Sequence, residues 1–218
     1  GGLYVGAGSG RAAGRLDAEV EFVFAYGLGL PTGSAGAVER AFMELVRQDV
    51  VLIAGPAIGD NALAATPWVE RERVPTINWA GAERARGQWM FHLQVGSPED
   101  ESLVMARCLH AQGARRAGVV HALSPIGTRH LEYLLAEARL LGLEIVASEG
   151  ISPLAEDSSA QVDAVLAHAP DCFVYLGLGI SAPSVSLPLA ARGWQGPRIM
   201  NTAGIRGNQP GFAEKSIA

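Results

Sequence analysis

The stretch VVLIAGPAIGDNALA, residues 50–64, changes from a buried strand to a helix start within a few positions. Five apolar residues come first, a Gly-Pro pair ends the run, and Asp60 and Asn61 open a segment rich in alanine and leucine. This order is typical of a parallel strand followed by a helix. In an open α/β sheet, ligands bind beyond the carboxyl ends of the strands, where helix N-termini present unpaired N–H groups. The stretch therefore predicts an α/β fold with a binding loop at 55–59.

The same alternation of apolar runs and amphipathic segments continues along the chain. It predicts strands at 20–25, 50–54, 74–79, 90–95, 117–121, 144–147, 171–176 and 198–201, and helices at 35–48, 61–71, 98–112, 128–141, 160–168 and 185–191. Strands that alternate with helices indicate right-handed βαβ units and parallel sheets covered on both faces. The predicted fold class is α/β with doubly wound parallel sheets.

The number of predicted strands indicates two lobes rather than one. About eight strands are more than a single doubly wound unit of this length commonly holds. The segment 113–116 offers a break between them. The predicted division is a first α/β lobe at 1–114, a second at 115–204, and a hinge or return segment at 205–218.

Three helix ends carry local signals. Ser97 precedes a proline and two acidic residues, the order of an N-cap followed by a first turn that suits the positive end of a helix. Gly142 follows the segment 128–141 and predicts its C-terminal stop. Asp60 either caps the helix at 61–71 or contacts a ligand.

Composition limits the possible partners. The chain has 218 residues, of which 49% are hydrophobic and 18% charged, with a net charge of −5. Its arginines are scattered among acidic residues rather than gathered in a stripe, so no nucleic-acid partner is predicted. No apolar run reaches the length of a membrane span. A basic segment followed by an apolar leader does not occur in the printed sequence, which leaves secretion open.

Motifs for catalysis and cofactors are weak. Gly8-x-Gly10-x-x-Ala13 fits a variant of the dinucleotide fingerprint, but the few residues before the next predicted strand are too short for the helix which that motif requires. A flexible glycine loop or a trimmed leader is the better interpretation. GxSxG and GxxxxGK[ST] are both absent. His121 ends a predicted strand without a clear Ser or Cys partner, and we interpret it as structural or ligand-contacting. We therefore predict no enzyme, no cofactor and no metal site.

The two cysteines, Cys108 and Cys172, are predicted to be buried small residues; a disulfide between them is the less favoured alternative. Trp79 stands at the end of a predicted strand, where it either stacks on a ligand or fills the core.

Several segments, in this order and spacing, resemble the type I periplasmic binding proteins. They are similar in particular to the receptors for branched-chain amino acids and amides that serve ABC importers. The segments are the Gly55-Pro56 loop with its Ala-rich helix, Val74-Pro75-x-Ile77-x-x-Ala80, Phe91 with Asp100, Val119-Val120-His121 with Ser124-Pro125-Ile126-Gly127, and Pro170-Asp171-x-Phe173-Val174-Tyr175-x-Gly177 with Gly193. The resemblance covers 20–208.

The resemblance implies two doubly wound α/β lobes that are joined by a hinge and close on a small ligand. It implies an extracytoplasmic protein that delivers this ligand to the membrane permease of an ABC transporter, without chemistry. Against the family pattern, the first strand and helix and the final return segments are expected to be missing. A ligand-sensing domain of a regulator or receptor with the same fold is the alternative.

The resemblance also implies a set of cleft positions that depart from the family's usual polar residues. Relatives commonly carry hydroxyls at the places of Gly59 and Ala82, aromatics at those of Ile126 and Gly179, and a carboxylate at that of Ala203. The resemblance also places Ala80 in the cleft, in the turn after the predicted strand at 74–79. With Asp60 and Trp79, the predicted ligand-binding set is Gly59, Asp60, Trp79, Ala80, Ala82, Ile126, Gly179 and Ala203. Because an ammonium group buried without a carboxylate costs several kcal/mol, the expected ligand is less polar than a free amino acid: an amide, a small aromatic or another largely neutral metabolite.

Overall fold

Two separate parallel sheets organise the chain in the computed structural model, which describes residues 20–93 and 97–205. The helices are α1 (Ala35–Arg47), α2 (Gly59–Glu72), α3 (Pro98–Ala111), α4 (Pro125–Leu141), α5 (Ser159–Leu166), α6 (Ala182–Ala191) and the short α7 (Thr202–Ile205). The strands are β1 (Ile53–Ala54), β2 (Thr76–Asn78), β3 (Met90–His92), β4 (Arg116–Ala122), β5 (Glu144–Ile151), β6 (Cys172–Leu176) and β7 (Arg198–Met200). Strands and helices alternate, and all strand pairs are parallel, which confirms the predicted α/β class.

The first sheet is small and has the order β1-β2-β3. Its core joins Phe42 of α1, Ala65 and Val69 of α2, and Ile53 and Met90 of the strands. Helices α1 and α2 therefore cover this sheet with the apolar faces that their sequence periodicity predicts.

The second sheet has the order β5-β4-β6-β7 and is covered on both faces. Successive residues of β6 point to opposite sides. Val174 packs with α3 and α4, whereas Phe173 and Tyr175 pack with α5 and α6. All five residues of β6 are buried, because this strand lies between two others and under helices on both sides. The sheet is thus doubly wound, as predicted.

Helix α3 belongs to the core of the second sheet. Met105, Ala106 and Leu109 pack against Val119 of β4 and Val174 of β6. The predicted border between the lobes at 114 and 115 stays a prediction, and this packing favours a border before α3.

Two of the predicted helix ends are confirmed. The Ser97 hydroxyl accepts a hydrogen bond from the Asp100 N–H, and the Asp100 carboxylate accepts one from the Ser97 N–H, so that the two residues form a capping box. Gly142 ends α4 with a φ of 69°, which glycine adopts without steric cost.

The prediction that Asp60 caps its own helix is wrong. Ile58 is the N-cap of α2, no side chain caps that end, and Asp60 is the second residue inside the helix. Its carboxylate is turned to a different helix, described below.

The predicted strand at 20–25 is also wrong. These residues form no strand, and the Phe24 side chain is 62% exposed. A strand is defined by hydrogen bonds to a neighbouring strand, and an apolar run alone does not supply that neighbour. Strand β1 begins at Ile53, three residues later than predicted, and Val51 and Leu52 before it are exposed. The glycine loop at 8–13 and the segment at 206–218 lie outside the described residues.

Both cysteines are free; Cys172 is buried as predicted, whereas Cys108 is half-buried.

Within 20–93 and 97–205, none of the helices combines the length and apolar character that crossing a membrane requires.

Candidate functional site

The loops at the carboxyl ends of the two sheets meet at one place, which we call the junction and define as Gly59, Asp60, Ala82 and Ile126. A methyl group on Gly59 would lie 2.8 Å from Cγ1 of Ile126 and 3.7 Å from Cβ of Ala82. Gly59 is the first residue of α2 and Ile126 the second residue of α4, so the N-terminal turns of these two helices approach each other. A larger side chain at the first position of α2 would require the Ile126 side chain, or α4 with it, to shift.

Asp60 connects the two halves at the junction. Its side chain is only 7% exposed, and Oδ1 accepts a hydrogen bond of 2.9 Å from the Ile126 N–H. Burial raises the pKa of this carboxyl group, while hydrogen bonds from the Ile126 amide and the Ser124 side chain act in the opposite direction. Asp60 thus places a buried negative charge between the positive ends of two helices.

The first turn of α4 has its own donors already engaged. Pro125 has no N–H, the Ile126 N–H donates to Asp60, and the Gly127 N–H donates to the Ser124 hydroxyl at 3.0 Å. An anionic ligand would therefore have to displace an internal acceptor to bind at this helix end.

Asn61 fixes the first turn of α2 from the other side. Its Oδ1 accepts from the Leu30 N–H at 2.7 Å and its Nδ2 donates to the Leu30 carbonyl at 3.0 Å. No local pattern in the sequence indicates this role of Asn61, because its partner lies 31 positions away.

The loop after β2 is shaped by Asn78, another residue that the sequence analysis missed. Its fully buried amide donates to the carbonyls of Ala85 (3.1 Å) and Phe91 (3.0 Å) and accepts from the Ala80 N–H at 3.1 Å. An asparagine at the end of an apolar strand is the signal that could have pointed to it.

Small apolar side chains line the first-sheet side of the junction. The predicted residues Ala80 and Ala82 are buried in one cluster with Ala62 and Ala85, and Ile126 packs against that cluster. Trp79 is half-buried, which leaves both of its predicted roles open. The structure therefore brings Gly59, Asp60, Ala80, Ala82 and Ile126 together.

The other two predicted positions lie at the same edge of the second sheet. Gly179 is in the turn after β6, where the Tyr175 hydroxyl donates to the Leu178 carbonyl at 2.9 Å. Ala203 is half-buried in α7, after β7. The Asn201 side chain joins these two loops by accepting from the Gly177 N–H at 3.0 Å.

Two exposed apolar residues at that edge were not predicted. Leu123 directly follows β4 and is 62% exposed, and Ile180 follows β6 and is 59% exposed. Because β4 and β6 are neighbours in the sheet, their two loops lie side by side. Hydrophobic periodicity does not apply to loop residues, so only their place in a loop after a strand could have indicated these two side chains.

A second contact between the halves is formed by Glu83, Arg129 and Tyr133, which we call the Glu83 cluster. The Glu83 carboxylate lies 2.9 Å from Nη2 of Arg129 and accepts a hydrogen bond of 2.5 Å from the Tyr133 hydroxyl. The Tyr133 hydrogen bond first, and then the Arg129 guanidinium, lower the pKa of the Glu83 carboxyl group.

Among the described residues, one serine and one histidine are hydrogen-bonded as in a catalytic pair, but both side chains are buried in the protein. Nδ1 of His130 on α4 is 2.8 Å from Oγ of Ser102 on α3, and both side chains are buried. Burial lowers the pKa of His130 to about 4.

The half-buried His121 has its Nδ1 3.4 Å from the Ala122 carbonyl. Among the described residues, no group of three or more His, Cys, Asp or Glu side chains could hold a metal ion.

Comparison with known proteins gives one family and one fold. A family model for periplasmic binding proteins matches residues 14–210. No curated protein sequence matches the chain.

Several solved structures are similar in fold. A leucine binding protein, LivK, from Thermotoga maritima MSB8 has 19% identity and a TM-score of 0.69, with 78% of this chain and 49% of that chain covered. A solute binding protein of an ABC transporter from Rhodopseudomonas palustris BisB5, in complex with 3,4-dihydroxy benzoic acid, has 20% identity and a TM-score of 0.70 over 78% and 49%. Another, from Rhodopseudomonas palustris HaA2 in complex with p-hydroxybenzoic acid, has 14% identity and a TM-score of 0.72 over 84% and 52%. The chain spans about half the length of these structures.

Proposed function

The chain belongs to the periplasmic binding protein family, and on this premise we propose that it is an extracytoplasmic solute-binding protein of an ABC importer. It holds a small, largely neutral solute between the loops of its two sheets and releases it unaltered to a membrane permease. The proposed contacts come from the predicted set, with Leu123 and Ile180 added from the second sheet.

The observation that carries this proposal is the buried Asp60 carboxylate at the junction. A solute carboxylate about 5 Å from it would be repelled by roughly 3 kcal/mol at an effective dielectric constant of 20. That repulsion corresponds to a loss of about a hundredfold in affinity. A neutral amide or hydroxyl avoids this repulsion.

The apolar residues at the junction support a solute of low polarity. Ala80, Ala82 and Ile126 offer no hydroxyl or charge on one side, and the exposed Leu123 and Ile180 offer apolar surface on the other. Because burial of apolar surface contributes about 25 cal/mol per Å², a ring or branched chain would gain most from these residues.

The two R. palustris structures hold hydroxylated benzoic acids. A ring of that size suits the apolar residues of this chain, but a carboxylate placed next to Asp60 would be repelled. We therefore propose the neutral counterpart, an aromatic or aliphatic amide, as the class to test first.

Calorimetry with matched pairs of compounds tests this proposal. 4-Hydroxybenzamide is compared with 4-hydroxybenzoate, and 4-methylpentanamide with 4-methylpentanoate; leucine and glutamate are measured as free amino acids. We expect the uncharged aromatic member to bind at micromolar concentration and its acid at least about a hundredfold more weakly. Micromolar binding of leucine or glutamate, with none of any neutral compound, would defeat the proposal.

The variant Asp60→Asn separates charge from shape in this experiment. Asparagine keeps an oxygen that can accept the Ile126 N–H, but it removes the buried charge. The difference between 4-hydroxybenzamide and 4-hydroxybenzoate should therefore shrink in the variant. An unchanged difference would mean that Asp60 does not determine the preference.

A further inference from the structure

One face of α4 carries both contacts between the two halves. Ile126, Arg129 and Tyr133 are spaced i, i+3 and i+7, so their side chains lie on the same side of the helix. Ile126 meets Gly59 and donates its N–H to Asp60. Arg129 and Tyr133 meet Glu83. The two contacts are spread over about 10 Å of the helix axis.

Glu83 and the junction share one loop of the first sheet. Glu83 directly follows Ala82, which lies against the position of Gly59. The loop is held from its own side by the buried Asn78 amide, which binds the Ala80 N–H and the Ala85 carbonyl on either side of Glu83. A contact made at Glu83 therefore acts on a loop that is already ordered.

Glu83 receives two donors whose positions are set in advance. The Arg129 guanidinium donates from Nη1 to Glu132 of its own helix at 2.7 Å and lies 5.1 Å from the centre of the Tyr133 ring. These two contacts hold Arg129 next to Tyr133, so that both can bind one carboxylate. Hydrogen bonds in which one partner is ionised are shorter and stronger than neutral ones.

We propose that Glu83 is a positioning residue, which acts through Arg129 and Tyr133 to keep the first turn of α4 at the junction and so determines how long a solute stays there. The statement about the solute rests on the proposed function. The statement about the contact between the halves does not, and it can be measured on the protein alone.

The experiment compares amide hydrogen exchange in the full chain and in two matched variants, Glu83→Gln and Glu132→Gln. Both variants remove a carboxylate that binds Arg129, but only Glu83 lies in the other half. We expect Glu83→Gln to raise the exchange rate of the Ile126 amide by about fivefold, the effect of losing a partly exposed ion pair. Glu132→Gln should raise that rate clearly less, because Arg129 and Tyr133 can still bind Glu83 in this variant.

Three results would overturn the inference. The first is an Ile126 amide that exchanges at the original rate in Glu83→Gln. The second is an equal rise in Glu132→Gln, which would make the effect one of Arg129 alone. The third is a rise of the same size at Val119 and Val120 in the buried strand β4, which would indicate a general loss of stability.

The exchange result and the proposed function can fail separately. If the Ile126 amide responds as expected but neither 4-hydroxybenzamide nor 4-methylpentanamide binds, the contact between the halves stands and the proposed function fails. If 4-hydroxybenzamide binds, Glu83→Gln should raise its dissociation rate by about fivefold, the same factor as for exchange, and an unchanged rate would overturn the statement about the solute.

Discussion

Gly59 is the residue whose lack of a side chain matters most at the junction. A Cβ at this position would come within 2.8 Å of Ile126 Cγ1, closer than packed carbon atoms approach. Its φ is not in the left-handed region, so the requirement for glycine comes from packing and not from the backbone. The amino acid at position 59 is therefore restricted to glycine by the Ile126 side chain on the other side of the junction.

The variant Gly59→Ala should move α4 away from α2. Overpacking of this kind costs about 1–3 kcal/mol, so we expect the affinity for 4-hydroxybenzamide in calorimetry to fall about tenfold or more. The double variant Gly59→Ala with Ile126→Ala removes the obstructing atoms and should recover part of the loss. A double variant that binds no better than Gly59→Ala would contradict the explanation by packing.

His130 makes the stability of the fold depend on pH. Its pKa is lowered from 6.5 to about 4 by burial, so the unfolded chain binds a proton below pH 6.5 that the folded protein binds only near pH 4. Stability should therefore fall as the pH decreases through this window, by at most about 3 kcal/mol. Urea unfolding at pH 7 and pH 4.5 measures it.

His130→Gln should remove most of that dependence on pH, since glutamine does not titrate. His168→Gln serves as the control, because that histidine is exposed. If His130→Gln loses stability between pH 7 and pH 4.5 as much as the unmodified protein does, other groups cause the acid sensitivity.

At the scale of elements, helix ends decide where the halves touch. Ser124 caps α4 and Ser34 caps α1, each by accepting from the N–H three residues later. The two caps are alike in chemistry, but only Ser124 also bonds Asp60. Ser34 therefore stabilises only the start of α1, whereas Ser124 stabilises the start of α4 and also binds Asp60 at the junction.

The variants Ser34→Ala and Ser124→Ala should each lower the free energy of unfolding by about 1 kcal/mol, as measured by urea titration. Only Ser124→Ala should also weaken the binding of 4-hydroxybenzamide, because Asp60 loses a hydrogen bond. Equal effects of both variants on binding would show that the Ser124 cap has no special role at the junction.

Sequence reasoning at this scale succeeded where the signal was local. The capping box of α3 and the Gly142 stop of α4 depend on residues within a few positions, and both are confirmed. The strand at 20–25 failed because its apolar run has no neighbouring strand to pair with. The start of α4 was predicted three residues late, at 128 instead of Pro125, because the Ser124 cap and the following proline were not recognised as a start.

At the scale of the whole molecule, the core of the second sheet includes α3. Met105, Ala106 and Leu109 fill one side of that core, and the Thr202 hydroxyl and N–H both bind Glu101 of α3. The second sheet, its helices and α3 therefore form one unit, which lies within residues 97–205.

A fragment of residues 97–205 should fold cooperatively by itself, whereas one of residues 115–205 should not. The shorter fragment loses the buried side chains of Met105 and Leu109, each worth about 2–5 kcal/mol when removed from a core, and this loss is comparable with the whole stability of a small domain, about 5–15 kcal/mol. Circular dichroism with urea titration of both fragments measures this. A cooperative transition in 115–205 would support the border at 114 and 115 that the sequence predicts.

The sequence by itself determined the α/β class, the confirmed helix ends and the apolar strands of the second sheet, because these depend on residue periodicity and on neighbours along the chain. The resemblance to the periplasmic binding proteins added Gly59, Ala80, Ala82 and Ile126, which the structure brings together. Only the tertiary structure decided what Asp60 does. A carboxylate at the start of a helix binds whichever N–H lies within about 3 Å, and the amide that reaches Asp60 belongs to Ile126, 66 positions away on the other sheet's helix.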